Sequence, residues 1–441
     1  MKPRPESLMT HIVPQPTTTR WRGDLLELEG PERAQIVRDR VIEVDTEGTI
    51  YSIRAYRAGE SIDHDHRDKL IAPGFVDAHV HFPQLDVVGS PAEGLLPWLE
   101  HHTFPNEARF VDPAHAREVA GVFLGELLRN GVTSAAVYCT SHPQSVDAFM
   151  QASLDRNLAM IAGKVLQDRH SPPELRDDTE QSLKDTEALI QRWHGKGRLR
   201  YAITPRFAPT STERQLAGAG ELARAYPGVT VQSHVAENRD EIAWVGSLFP
   251  HDRSYLSVYE RFGLVRPHSI WGHCIHLDND DRALLTDNGA LAAVCPTSNL
   301  FLGSGLFNFA AAHHAWALAS DIGGGSSFSP FRTMMAAYEI ARLNGHYLRP
   351  ASLWWHASTG SAAALGLDRR VIGLKPGHDA DFIVIDPHAK PLLARRWQQA
   401  NTDEARLFAL IVLADDRNIY RTVIRGQVAA LHSAANSRSE P

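Results

Sequence analysis

The stretch Phe75-Val76-Asp77-Ala78-His79-Val80-His81-Phe82 decides how this chain is read. Its apolar residues predict a buried strand. Side chains alternate across a strand, so residues two apart point the same way. His79 and His81 therefore project side by side from one strand. Imidazoles at that spacing can chelate a metal such as zinc. A second His-x-His, His64-Asp65-His66, lies among the charges of 63–68 with no apolar strand to hold it, and it reads as a solvated loop. The adjacent pairs His101-His102 and His313-His314 cannot share a strand face and read as structural or exposed.

Outward from residue 75, short apolar runs alternate with helical stretches. The strand candidates are Phe75–Val80, Thr133–Cys139, Leu158–Leu166, Leu199–Thr204, Val229–Ser233, Ser269–His273, Ala290–Val294 and Ala315–Ser320. Between them lie helix-like segments such as Ala114–Arg129, Gln181–Trp193, Thr212–Tyr226 and Arg239–Phe262. Strands alternating with helices predict a parallel sheet. Eight such units predict an α/β fold, the closed (β/α)8 barrel, whose active sites gather at the C-terminal strand ends.

The chain ends differ. Short strands are predicted at Arg40–Val44 and Thr49–Ile53, and again at Ala380–Asp386, Ala409–Leu413 and Ile419–Ile424. The expected organisation is a small flanking β domain built from residues 1–70 and 379–441, and a barrel over 71–378. The last residues, Ser433–Pro441, read as a disordered tail.

Composition narrows the function. The 441 residues are 43% hydrophobic and 22% charged, as in an ordinary soluble protein. Net charge is −7 with no long basic run, which argues against nucleic-acid binding. No run approaches the roughly 18 apolar residues of a membrane span, and the N-terminal residues lack the apolar stretch of a secretion signal. Cys139, Cys274 and Cys295 are far apart in apolar surroundings and read as buried free thiols. A cytoplasmic enzyme is expected.

The predicted strand ends can be read in order. The first strand carries His79 and His81; the fifth is followed by His234-Val235-Ala236-Glu237; the sixth ends in His273; the eighth runs into Asp321. These groups would meet at one mouth of the barrel as a site for one divalent metal. Such a cation lowers the pKa of water toward about 7. Glu237, three residues past His234, can then move protons. Asp321 can ligate and orient the water, and His273 can ligate or bond the attacking oxygen. The run Gly323-Gly324-Gly325 lacks the Lys-Ser/Thr of a phosphate loop and reads as a tight connection. The fourth strand ends Thr204-Pro205-Arg206-Phe207 without the lysine that bridges two metals in dinuclear barrels of this kind, so a mononuclear site is expected.

With these residues in view, the chain resembles the amidohydrolase superfamily. The resemblance rests on Pro73-Gly74-Phe75-Val76-Asp77-Ala78-His79-Val80-His81 and on Lys375-Pro376-Gly377-His378-Asp379-Ala380-Asp381. Within the superfamily it is similar to the guanine deaminases through His81-Phe82-Pro83-Gln84, Thr204-Pro205-Arg206-Phe207, Cys295–Gly305 and Ser320-Asp321-Ile322-Gly323-Gly324-Gly325. Where many of them carry a Ser-Cys-Ser type segment after the Arg-Phe pair, this chain has Ala208-Pro209-Thr210-Ser211-Thr212, like the bacterial form. The resemblance implies one zinc per chain on His79, His81, His234 and Asp321, with Glu237 as proton shuttle and His273 at the attacking oxygen. It implies that His81, Gln84, Arg206, Phe207 and Glu237 line the base pocket. It also implies a homodimer that turns guanine into xanthine and ammonia in purine metabolism. The residue types agree with this. Arginine can donate to the purine O6, glutamine can donate and accept at the ring edge, and Phe207 can stack on the ring.

Two other readings stand beside it. One is deamination or dechlorination of another ring: a pterin, cytosine, 8-oxoguanine or a triazine. The other is a non-enzymatic metal-binding scaffold, which would have no use for Glu237 as a proton carrier.

Overall fold

The computed structural model describes residues 18–367 and 371–430, so the predicted tail at Ser433–Pro441 lies outside the described residues. Among the described residues, sixteen strands form two sheets. The first sheet holds β1 (Thr18–Gly30), β2 (Arg33–Asp45), β3 (Ile50–Ala55), β4 (His64–Pro73), β14 (Phe382–Ile385), β15 (Ile419–Ile424) and β16 (Gln427–Val428), in the order β16-β15-β14-β4-β1-β2-β3. Both chain ends contribute, as expected. Trp21, Ile42, Ile71, Phe382 and Val423 form its core.

The second sheet is the barrel. Its path is β5 (Phe75–His81), β6 (Val132–Tyr138), β7 (Ala159–Gly163), β9 (Arg200–Pro205), β10 (Thr230–Val235), β11 (Ile270–His273), β12 (Leu291–Val294) and β13 (Ala315–Leu318), with the short β8 (Val165–Leu166) beside β9. Every ladder along this path is parallel. These strands are buried along nearly their whole length, as parallel strands covered on both faces must be. Between β13 and β5 the barrel is closed by Asp321 N–H to the His79 carbonyl (2.9 Å), His81 N–H to the Ile322 carbonyl (2.7 Å) and the side chain of Asp77, which accepts from Ser320 N–H at 3.0 Å.

The helices in chain order are α1 (Leu95–Trp98), α2 (Phe104–Ala108), α3 (Pro113–Arg129), α4 (Pro143–Asp155), α5 (Thr179–Trp193), α6 (Glu213–Ala225), α7 (Arg239–Leu248), α8 (Tyr255–Arg261), α9 (Asn279–Asp287), α10 (Pro296–Phe301), α11 (Pro330–Leu343), α12 (Pro350–His356), α13 (Thr359–Ala364), α14 (Pro391–Gln399) and α15 (Asp403–Leu413). The main core lies between strands and helices. In it Phe75 meets Phe331 edge-on at 5.4 Å and Trp354 at 5.5 Å. Truncating Phe75 to alanine there would cost about 3–5 kcal/mol. The barrel interior is filled by small or branched residues such as Val76, Ala136, Ile161, Ala202, Ala293 and Ala317, closed from α13 by Ala362 and from beyond it by Leu365.

Gly74 joins the sheets. A Cβ there would stand 2.2 Å from Thr133 Oγ1, so only glycine lets β4 run into β5 this close to β6.

Three expectations are corrected. His64-Asp65-His66 is not a loop: it opens β4 and pairs with β1, with the His64 ring stacked on Trp21 at 3.7 Å. The charges had masked an alternating strand. Ala409–Leu413 is the end of helix α15, capped by Thr402; a short apolar run does not by itself separate helix from strand. Arg239–Phe262 is two helices, because Pro250 interrupts it and Ser254 caps a new start. Residues 82–110, between β5 and α3, carry a series of short helical turns. Among the described residues, no helix is long and apolar enough to cross a membrane.

Candidate metal centre and base pocket

The predicted metal ligands converge. His79, His81, His234 and Asp321 each offer one donor atom, and all these atoms lie within 4.8 Å of one another. Asp321 Oδ1 is 3.2 Å from His79 Nε2 and 3.3 Å from His81 Nε2. His81 Nε2 is 3.2 Å from both His79 Nε2 and His234 Nε2. His234 Nδ1 donates to the Arg206 carbonyl at 2.5 Å, which leaves its Nε2 lone pair facing the cluster.

Backbone conformation aims these groups. Ala236 (φ 50°), His273 (φ 68°), Cys274 (φ 53°) and Asp321 (φ 52°) are left-handed, a region non-glycine residues rarely visit. Cys274 N–H to the Val235 carbonyl (3.2 Å) and Asp321 N–H to the His79 carbonyl (2.9 Å) hold the turns. A Cβ on Gly272 would stand 2.9 Å from His79 Cε1, so glycine at this point of β11 leaves room for the imidazole.

The electrostatics suit a cation. Burial pushes His79 down, His81 down to about 4 and His234 well down, which favours neutral imidazoles with free lone pairs. Burial works to raise Asp321, but hydrogen bonds with His79 and His81 outweigh it and hold the carboxylate well below its usual range. Three neutral imidazoles and one anion fit a divalent metal. His79, His273, Cys295 and Asp321 form a second such group. Burial pushes the Cys295 thiol well up and keeps it protonated, so the first group is the better donor set.

Beside this cluster, His273 Nδ1 donates to Asn299 Oδ1 at 2.9 Å, and its Nε2 lies 3.3 Å from Glu237 Oε2 and 3.8 Å from Asp321 Oδ2. Ser304 donates to Glu237 Oε1 at 2.8 Å. Burial, then the charge of Asp321, pushes Glu237 up to about 8. A cavity opens here, and its wall includes His81, Gln84, Arg206, Phe207, His234, Glu237, His273 and Asp321. Each candidate site residue therefore reaches this cavity, except His79, which sits wholly buried beneath it.

Several residues of the site went unread in the sequence. Glu241 lines the cavity, accepts the N–H groups of Glu237 (3.1 Å) and Asn238 (3.2 Å), and takes the Tyr255 hydroxyl at 2.7 Å. Asn238-x-x-Glu241 is a capping box, a signal that could have found it. Leu95, Trp98 and Leu99, from α1 and the π-helical turn after it, form an apolar wall. Glu107, on α2, receives Gln84 Nε2 at 2.9 Å and Arg206 Nη1 at 2.5 Å. No sequence spacing ties Glu107 to either partner. Lys164, the buried lysine after β7, is paired with Asp177 at 2.7 Å.

The amidohydrolase family pattern matches residues 70–429. A guanine deaminase of Escherichia coli strain K12 is 46% identical over 370 residues, 82% of this chain and 84% of that protein. The solved structure of the E. coli guanine deaminase superposes with a TM-score of 0.90 at 40% identity, covering 93% of this chain and 99% of that one. The guanine deaminase from C. acetobutylicum with guanine bound in its active site superposes with a TM-score of 0.87 at 29% identity, covering 94% and 100%. The chain belongs to the amidohydrolase family, in the branch that holds the guanine deaminases.

Proposed function

We propose that this chain hydrolyses guanine to xanthine and ammonia. The observation that carries the proposal is one cavity. It joins a three-histidine, one-aspartate cluster and a buried glutamate to a wall of Gln84, Arg206 and Phe207.

His79, His81, His234 and Asp321 would hold one zinc ion. The bound cation supplies Lewis acidity that makes water a nucleophile near neutral pH. Every other step falls to side chains. Arg206 donates to the 6-oxo group and Gln84 meets the ring edge. Phe207 covers the flat face of the base. His273, fixed by Asn299, bonds the attacking oxygen from Nε2. Glu237, kept protonated by burial, delivers its proton to N3 and is restored by the proton the attacking water gives up, and the remaining hydroxyl proton goes to the departing amine. Water adds at C2 and ammonia leaves, which balances guanine plus water against xanthine plus ammonia. Leu95, Trp98, Leu99 and Leu302 keep bulk water out.

A cytoplasmic setting is supported by three buried cysteines, none in a disulfide. The homodimer is supported by the family resemblance and is tested by light scattering. The deciding experiment is a guanine-to-xanthine assay with metal analysis of the same sample. Turnover with about one zinc per chain supports the proposal, and an inactive, metal-loaded protein refutes it.

A further inference from the structure

The wall that faces the base has a support of its own. Glu107 is buried to 1% exposure and is absent from the cavity lining, so it stands behind that lining. One of its oxygens takes Gln84 Nε2 at 2.9 Å and the other takes Arg206 Nη1 at 2.5 Å. Gln84 Oε1 in turn accepts the Gly323 N–H at 3.2 Å, which fixes the amide orientation. Three residues earlier on α2, Phe104 presents its ring to the Arg206 guanidinium, 5.0 Å from centroid to Cζ. Residues three apart on a helix share a face. One short helix thus grips Arg206 by its charge and by its plane.

We propose that Glu107 is a positioning residue that sets the selectivity of the site for a 6-oxo purine, acting through Arg206 and Gln84. An arginine on a long flexible stem reads a carbonyl well only when its fork is held. Glu107 leaves the remaining donors of that fork for the ligand. It also balances the guanidinium charge, so the pocket presents directed N–H groups rather than a loose cation. A structural ion pair alone would not need to hold both base-facing side chains at once. This inference rests on the proposed guanine activity.

The test compares guanine with 2-aminopurine, which keeps the 2-amino group and lacks the 6-oxo group. The expected result for Glu107→Gln is a loss of at least about tenfold in the guanine to 2-aminopurine ratio of kcat/KM. The loss should fall on KM for guanine, with kcat within about threefold and metal content unchanged. Glu107→Asp keeps the charge on a shorter arm. It should fold where Glu107→Gln does not, and it should show the same direction of change. An unchanged ratio in a folded variant, or an equal fall for both substrates, overturns the proposal. A wild-type protein that leaves guanine untouched sinks the activity instead. The anchoring role is then decided by crystal structures of wild type and Glu107→Gln, where an unmoved Arg206 refutes it.

Discussion

Asp77 on β5 holds Ser320, the residue before Asp321, by accepting both its N–H at 3.0 Å and its hydroxyl. The same carboxylate accepts the His79 N–H at 3.2 Å. One buried side chain therefore aligns the two edges of the barrel and sets a histidine of the cluster against the aspartate opposite. Asp77→Ala leaves these buried donors without an acceptor, at about 1–3 kcal/mol each. Denaturant unfolding should show the lost stability, and metal analysis should show lower occupancy. Full occupancy with unchanged stability would remove Asp77 from this role.

Glu237→Gln keeps the size and burial of the side chain and removes its ability to carry a proton. Turnover of guanine should fall by about 10²- to 10⁴-fold while metal content stays the same. Steady-state kinetics and metal analysis on one preparation check both halves.

Removing the metal should abolish turnover. Dialysis against a chelator is expected to give inactive protein that regains activity with about one equivalent of zinc, because four donors of this kind make one mononuclear site. Recovery only at two equivalents contradicts the mononuclear assignment.

Acid should weaken the fold through His356. Its ring stacks on Trp316 at 3.5 Å, its Nδ1 donates to the Trp316 carbonyl at 2.8 Å, and burial pushes it down to about 4. The unfolded chain binds a proton below about pH 6.5, whereas the folded chain resists it until about 4. Stability therefore rises with pH across that window and is lost on acidification, by on the order of 3 kcal/mol for this group. Urea unfolding of wild type and His356→Gln at pH 5 and pH 7.5 checks it: the variant should show the smaller difference between the two.

Much of this architecture was legible because parallel barrel strands are continuous apolar runs. Val132–Tyr138 and Ile270–His273 can be read in that way with little ambiguity. The cluster able to hold a metal was legible because a strand-end histidine has a defined place in such a barrel. What stayed hidden depends on contacts between distant segments. Glu107 meets Arg206 across 99 residues, and no local pattern marks that meeting. His64 and His66 were misread because a strand at a sheet junction tolerates charge on its exposed face, so polarity imitated a loop. Ala409–Leu413 was misread because five apolar residues fit either period.

The cluster that would grip the cation and the apolar wall that would shelter the base come from different parts of the chain. His79, His81, His234 and Asp321 stand on or just after the staves of the barrel, whereas Leu95, Trp98, Leu99, Phe104 and Glu107 ride on one excursion between β5 and β6. Arg206 and Phe207, which would read the base, follow β9 on the barrel itself, so exchanging the excursion of about 30 residues would reshape the apolar wall and the support behind Arg206 while those two readers and the hydrolytic engine stay in place.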